Sequence, residues 1–200
     1  MYNWRKMTKE QQAYVLKTRK IDNHPWHSPQ HIQPEEGSRF IITAACYEHK
    51  TIIGDSPERM NTFEDELLNY IKRFTEKIYA WVILPNHYHL LLHTEDILHL
   101  LKKLYQFHGR TSFYWNKENN QHSRRIWCNV LERTIKSDKH FMAAINYIHH
   151  NPIKHGYVKK WTEWPYSSAA DYIEKRGYEE TLRDWYKYDI SNMGEKWDKF

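Results

Sequence analysis

Two runs of largely apolar residues, 78–84 and 87–93, are separated only by Pro85 and Asn86. A Pro-Asn link of that length has room for a tight turn and nothing more, so the two runs are neighbouring strands. A third run, 40–47, is β-branched and apolar and is bounded by Gly37-Ser38 and by Glu48-His49-Lys50; it predicts a strand buried on both faces. Ser56-Pro57-Glu58 carries the start signals of a helix: a hydroxyl cap, a proline in the first turn and an acid beside the dipole. Met60, Phe63, Leu67, Ile71 and Phe74 then recur at helical spacing, to an end near Lys77. Ile97, Leu101, Leu104 and His108 give a second amphipathic helix running toward Tyr114, and 116–125 is a polar loop. Residues 125–135 alternate loosely as a fourth strand. Ser137-Asp138-Lys139 opens a helix through Phe141, Ala144, Ile145 and Ile148, which Asn151-Pro152 is expected to end or kink. The first six elements follow a split βαβ plan, which predicts an α+β, ferredoxin-like sandwich: an antiparallel sheet with helices on one face, plus a C-terminal helix.

Composition limits the function classes. The chain has 200 residues, enough for one domain with a real core, and two cysteines, Cys46 and Cys128, too few for a disulfide framework. The formal charge is +5 and the pI is near 9.0, which favours a polyanionic partner. A mean hydropathy of −0.92 resembles that of disordered chains, yet 9 Trp, 15 Tyr and 14 His contribute to the low value, and the aromatic residues pack well. No apolar run approaches the ~20 residues that span a bilayer, and no apolar stretch follows Met1 to Lys6 as in a signal peptide. The expectation is a soluble cytoplasmic protein with reduced thiols and no membrane partner. Residues 1–38 read as an arm: a helix-compatible stretch, 8–20, followed by Pro-punctuated text around His24-Pro25-Trp26-His27.

The sharpest motif is Pro85-Asn86-His87-Tyr88-His89. On a strand, side chains two apart leave the same face, so the imidazoles of His87 and His89 converge while Tyr88 and Leu90 enter the core. Fourteen histidines place two at this spacing by chance often enough that spacing alone does not establish a metal site. The second motif is Asn146-Tyr147-Ile148-His149-His150-Asn151-Pro152, where Tyr147 and Asn151 are one helical turn apart. If that face looks toward the two histidines, Tyr147 is placed as a nucleophile and Asn151 as a third metal ligand, with His150 as its rival.

These two motifs carry a resemblance. The run 81–92 followed by the run 146–158, together with the Trp127-Cys128 strand and Trp164-Pro165-Tyr166-Ser167-Ser168, resembles the REP-associated tyrosine transposases of the single-tyrosine HUH superfamily. The likeness spans about 39–170, which it marks as the HUH domain, with 171–200 as a tail packing on or extending it. It implies a catalytic Tyr147 and metal ligands His87, His89 and Asn151 for Mg²⁺ or Mn²⁺; His150 matches no family ligand. It also implies cleavage and rejoining of single-stranded or hairpin DNA, such as REP-like repeats or element ends, through a 5′-phosphotyrosine, by a monomer or a helix-exchanged homodimer. Arg110, Arg124, Arg125, Lys154 and Trp161 are the candidate DNA contacts, cations for the backbone and a ring for unstacked bases. Taken singly, each is as readily a surface charge or a core anchor. Two rivals remain: a domesticated, non-catalytic DNA-binding protein of the same fold, and a metal-dependent phosphodiesterase that uses water.

Overall fold

The computed structural model describes residues 38–188, together with 190, 193 and seven positions between 8 and 17. By contacts the chain divides into 1–35 and 36–200. In the first unit the described residues between 9 and 17 are helical, opened by a reciprocal cap: Thr8 Oγ1 accepts from the Gln11 N–H at 3.2 Å, and Gln11 Oε1 accepts from the Thr8 N–H at 2.9 Å. The Pro-punctuated stretch around His24 lies outside the described residues.

The second unit carries strands β1 (Ser38–Ala45), β2 (Lys77–Ile83), β3 (His87–Thr94) and β4 (Leu131–Thr134), with helices α1 (Pro57–Ile71), α2 (Ile97–Glu118), α3 (Asp138–Lys154), α4 (Ala169–Arg176) and α5 (Tyr178–Lys187). The sheet is antiparallel in the order β2-β3-β1-β4, the strand order of a split βαβ sandwich. Alternation divides the side chains between two cores. Phe40, Ile42, Ala44, Tyr88, Leu90 and Leu92 meet Phe63 and Leu67 of α1 and Leu104 and Phe107 of α2. On the opposite face Ile41, Leu91, Ala80 and Val82 meet Ala144, Ile145, Tyr147 and Ile148 of α3. A register shift between Ile78 and Ala80 changes the parity of β2, so that Ile78 joins Trp81 and Ile83 on the α1/α2 face.

The helices start where their caps predict: Ser56, Asp96 and Ser137 side chains accept from the N–H groups of Arg59, His99 and His140. Four boundaries differ from the sequence expectation. Helix α1 gives way to a 3₁₀ turn at Lys72–Phe74, whereas α2 runs on to Glu118 because Thr111 and Trp115 continue its buried stripe. The fourth strand is four residues long, since Ile126, Trp127 and Val130 turn into the α1/α2 core instead of alternating. An isolated Cys46–Trp127 bridge at one end and a bond from the Ile135 N–H to the Arg39 carbonyl at the other prolong the pairing. The fourth difference is that α3 does not end at Pro152. The ring sits in the last turn, and the helix closes at Gly156 (φ 72°), where the N–H groups of Gly156 and Tyr157 donate to the carbonyls of Ile153 and Pro152. That pair of bonds is a Schellman closure, with glycine at the left-handed position.

Beyond α3 the chain returns to β2. The Ile83 N–H donates to the Tyr166 carbonyl, the Ser168 N–H to the Trp81 carbonyl and the Trp164 indole to the Ile83 carbonyl. Helix α5 is tied to α3 through Asn146, whose Nδ2 reaches the carbonyls of Asp184 at 3.1 Å and Tyr188 at 2.9 Å. No helix among the described residues is long and apolar enough to cross a membrane.

Candidate active site

Strand β3 presents His87, His89 and Leu91 toward α3, and the two imidazoles are fully buried with ring centroids 5.0 Å apart. Each is held at Nδ1. Asn86 Oδ1 lies 2.7 Å from Nδ1 of His87, and Thr43 Oγ1, opposite His89 in the β1–β3 register, lies 2.8 Å from Nδ1 of His89. Tyr88 points the other way, as alternation requires. Its hydroxyl meets His108 Nε2 at 3.0 Å, and burial raises the phenol well above its usual range.

From the other side α3 offers Tyr147, Asn151 and His155 on successive turns. The Tyr147 ring is 5.2 Å from that of His89, Asn151 Oδ1 is 3.1 Å from His87 Nε2, and the His155 ring is 5.0 Å from that of His87. His155 reaches the site because α3 continues past Pro152. His150 turns away: its Nδ1 approaches the Asn146 carbonyl at 3.1 Å, its ring packs 4.7 Å from that of Trp185, and burial lowers its pKa. Of the two candidate third donors, Asn151 alone faces His87.

The donor set fits a divalent ion. Two atoms bound to one Mg²⁺- or Zn²⁺-like ion at about 2.1 Å and near-right angles lie about 3 Å apart. The 3.1 Å between the His87 nitrogen and the Asn151 oxygen matches that spacing. Among the described residues no three His, Cys, Asp or Glu side chains form such a group.

The candidate DNA contacts scatter. Lys154 is at the site, its ammonium 5.3 Å from the centroid of the Tyr147 ring. Arg125 is exposed, and its guanidinium lies over Tyr47 at 4.7 Å. Arg124 is engaged in the loop after α2, bonding Asn116 Oδ1 and Asn119 Oδ1. Arg110 lies over Tyr70 and Phe107 in the α1/α2 layer, across the sheet from α3. Trp161 stands edge-on to Trp185 with ring centroids 3.7 Å apart.

No protein-family model matches the chain. A putative REP-associated tyrosine transposase of Haemophilus influenzae is 30% identical over 142 residues, which cover 63% of this chain and 76% of that protein. The chain belongs to the REP-associated tyrosine transposases. A second relative in this transposase family, a REP-associated tyrosine transposase of Escherichia coli K12, is 30% identical over 98 residues, covering 46% of this chain and 53% of that protein. Among solved structures, that of a REP-associated tyrosine transposase bound to a REP hairpin superposes with a TM-score of 0.57 at 19% identity, covering 72% of this chain and 84% of that one. The superposition shows the shared fold. Three residues at this transposase's site escaped the sequence reading: Asn86, taken only as a turn former, Thr43, which register alone brings beside His89, and His155, placed beyond the expected end of α3.

Proposed function

We propose that this transposase cleaves and rejoins single-stranded or hairpin DNA through Tyr147. The observation that carries the reading is the convergence of two elements distant in the chain: α3 sets Asn151 Oδ1 3.1 Å from His87 and the Tyr147 ring 5.2 Å from His89. A phenol is a better-tolerated oxyanion than an aliphatic hydroxyl, having a pKa of about 10. The Tyr147 oxygen attacks the phosphorus in line as the bond to the 3′-oxygen breaks, giving a 5′-phosphotyrosyl link and a free 3′-OH, with the phenol proton balanced by the one the leaving oxygen gains. The new ester keeps the phosphodiester bond, so a second 3′-OH reverses the step without ATP.

His87, His89 and Asn151 would hold the divalent ion, Mg²⁺ or Mn²⁺, which when bound supplies Lewis-acid stabilisation of charge on the phosphate. The Lys154 ammonium beside the Tyr147 ring adds a fixed positive charge where the backbone is to be seated. Tyr147 is 2% exposed, so the strand reaches it by displacing the side chains that cover it. Hairpin DNA is the substrate favoured here because the superposed relative is described bound to a REP hairpin.

The test is a covalent adduct. A labelled hairpin oligonucleotide incubated with the protein and Mn²⁺ gives a protein-linked band on a denaturing gel, and Tyr147→Phe or EDTA removes it. An undiminished band from Tyr147→Phe overturns the assignment.

A further inference from the structure

The turn at Tyr47–His49 contains two consecutive non-glycine residues in the left-handed region, Glu48 (φ 56°) and His49 (φ 53°). L-residues adopt that conformation at a cost that the surroundings must offset, and such strain commonly marks a functional constraint. Here the turn places the His49 carbonyl 3.2 Å from Nδ2 of Asn86. A carbonyl only accepts, so it draws the NH₂ end of the amide and leaves Oδ1 on Nδ1 of His87, 2.7 Å away. The Asn86 main chain is pinned as well, its carbonyl accepting from the Cys46 N–H at 2.7 Å. The preceding residue has no room to shift, because Gly54 donates its N–H to the Pro85 carbonyl at 2.9 Å and a β-carbon on Gly54 would lie 2.4 Å from Cβ of Pro85.

We infer that Asn86 is a positioning residue that selects the Nδ1–H tautomer of His87 and so aims the Nε2 lone pair at Asn151. An amide oxygen cannot donate, so the proton between Asn86 Oδ1 and His87 Nδ1 belongs to the ring. Of the two amide-oxygen contacts the one to Asn86 is the shorter, 2.7 Å against 3.1 Å, so on the neutral ring the proton sits at Nδ1 and Nε2 keeps its lone pair on the Asn151 side, where that nitrogen and the amide oxygen can close on a cation. A hydrogen bond to the remote nitrogen commonly orients a metal-binding histidine. The inference deepens the metal reading above and rests on it only for the ligand role of His87.

The experiment is long-range ¹H–¹⁵N correlation of the histidine rings in the metal-free, DNA-free protein, followed by calorimetric titration with Mn²⁺. In the wild type His87 is expected to be protonated at Nδ1 alone. Asn86→Ala is expected to populate the Nε2–H form and to weaken Mn²⁺ binding roughly 10- to 100-fold, whereas Asn86→Asp, which keeps an acceptor, retains the Nδ1–H form. A wild-type His87 protonated at Nε2 overturns the inference whether or not the variants fold, and so does an Asn86→Ala protein with wild-type tautomer and affinity. The ring readout uses neither metal nor DNA, so a protein that forms no phosphotyrosyl adduct still reports the tautomer, and the two failures are distinguishable.

Discussion

The amide oxygen of Asn151 lies 3.1 Å from Nε2 of His87, across the seam between α3 and β3. If both atoms serve one ion, Asn151→Ala removes a donor and leaves two imidazoles. Mn²⁺ affinity is expected to fall at least about tenfold, equivalent to roughly 1.4 kcal/mol. Asn151→Asp offers a charged oxygen at the same position and is expected to bind Mn²⁺ at least as tightly as the wild type. Calorimetry on both variants checks the pair; equal affinity in Asn151→Ala and wild type removes Asn151 from the ligand set.

Lys154 and Arg110 separate a DNA path through the site from a general basic surface. Lys154 sits over Tyr147, whereas Arg110 belongs to the α1/α2 layer and lies within 3.9 Å of Glu66. Lys154→Ala is expected to lower the salt dependence of hairpin binding by about one phosphate contact. Arg110→Ala should leave that dependence unchanged. The logarithmic slope of affinity against salt decides, and equal slopes for Lys154→Ala and wild type exclude Lys154 from the path.

His108 makes stability depend on pH. Its ring stacks on Trp127 at 4.1 Å and 9°, receives the Tyr88 hydroxyl and is held neutral by burial, which lowers its pKa to about 3. The unfolded chain titrates near 6.5, so acid favours unfolding. The contribution is complete above about pH 6.5 and is lost progressively toward pH 3. By pH 5 the loss amounts to about 2 kcal/mol. Urea unfolding at pH 7 and pH 5 is expected to show that much more loss in the wild type than in His108→Gln, which cannot titrate; parallel losses in both proteins contradict it.

The strand and helix order was legible because the hydrophobic period changes cleanly along the chain, and the facing of His87, His89 and Tyr88 follows from strand alternation alone. The end of α3 was not. Pro152 forfeits its own helical N–H bond, yet the turn carries on past it, with the His155 N–H donating to the Asn151 carbonyl at 3.1 Å, and the left-handed Gly156 sets the stop instead. That short extension is what delivers His155. Likewise a ring that stacks on bases and a core anchor look alike in sequence, and Trp115 and Trp127 are core residues packed with Phe63. The role of Asn86 was hidden because its side-chain partners, His49 and His87, meet only when the hairpin folds over the strained turn.

The segment Tyr166–Ser168, laid along the outer side of β2, has a consequence for assembly. It occupies main-chain groups of Trp81 and Ile83 that would otherwise template another chain. The opposite border, β4, is four residues long and includes Glu132 and Arg133, and a short, charged border is a poor seed for intermolecular strand addition. Both borders of the sheet thus offer a second chain's strand little to add to.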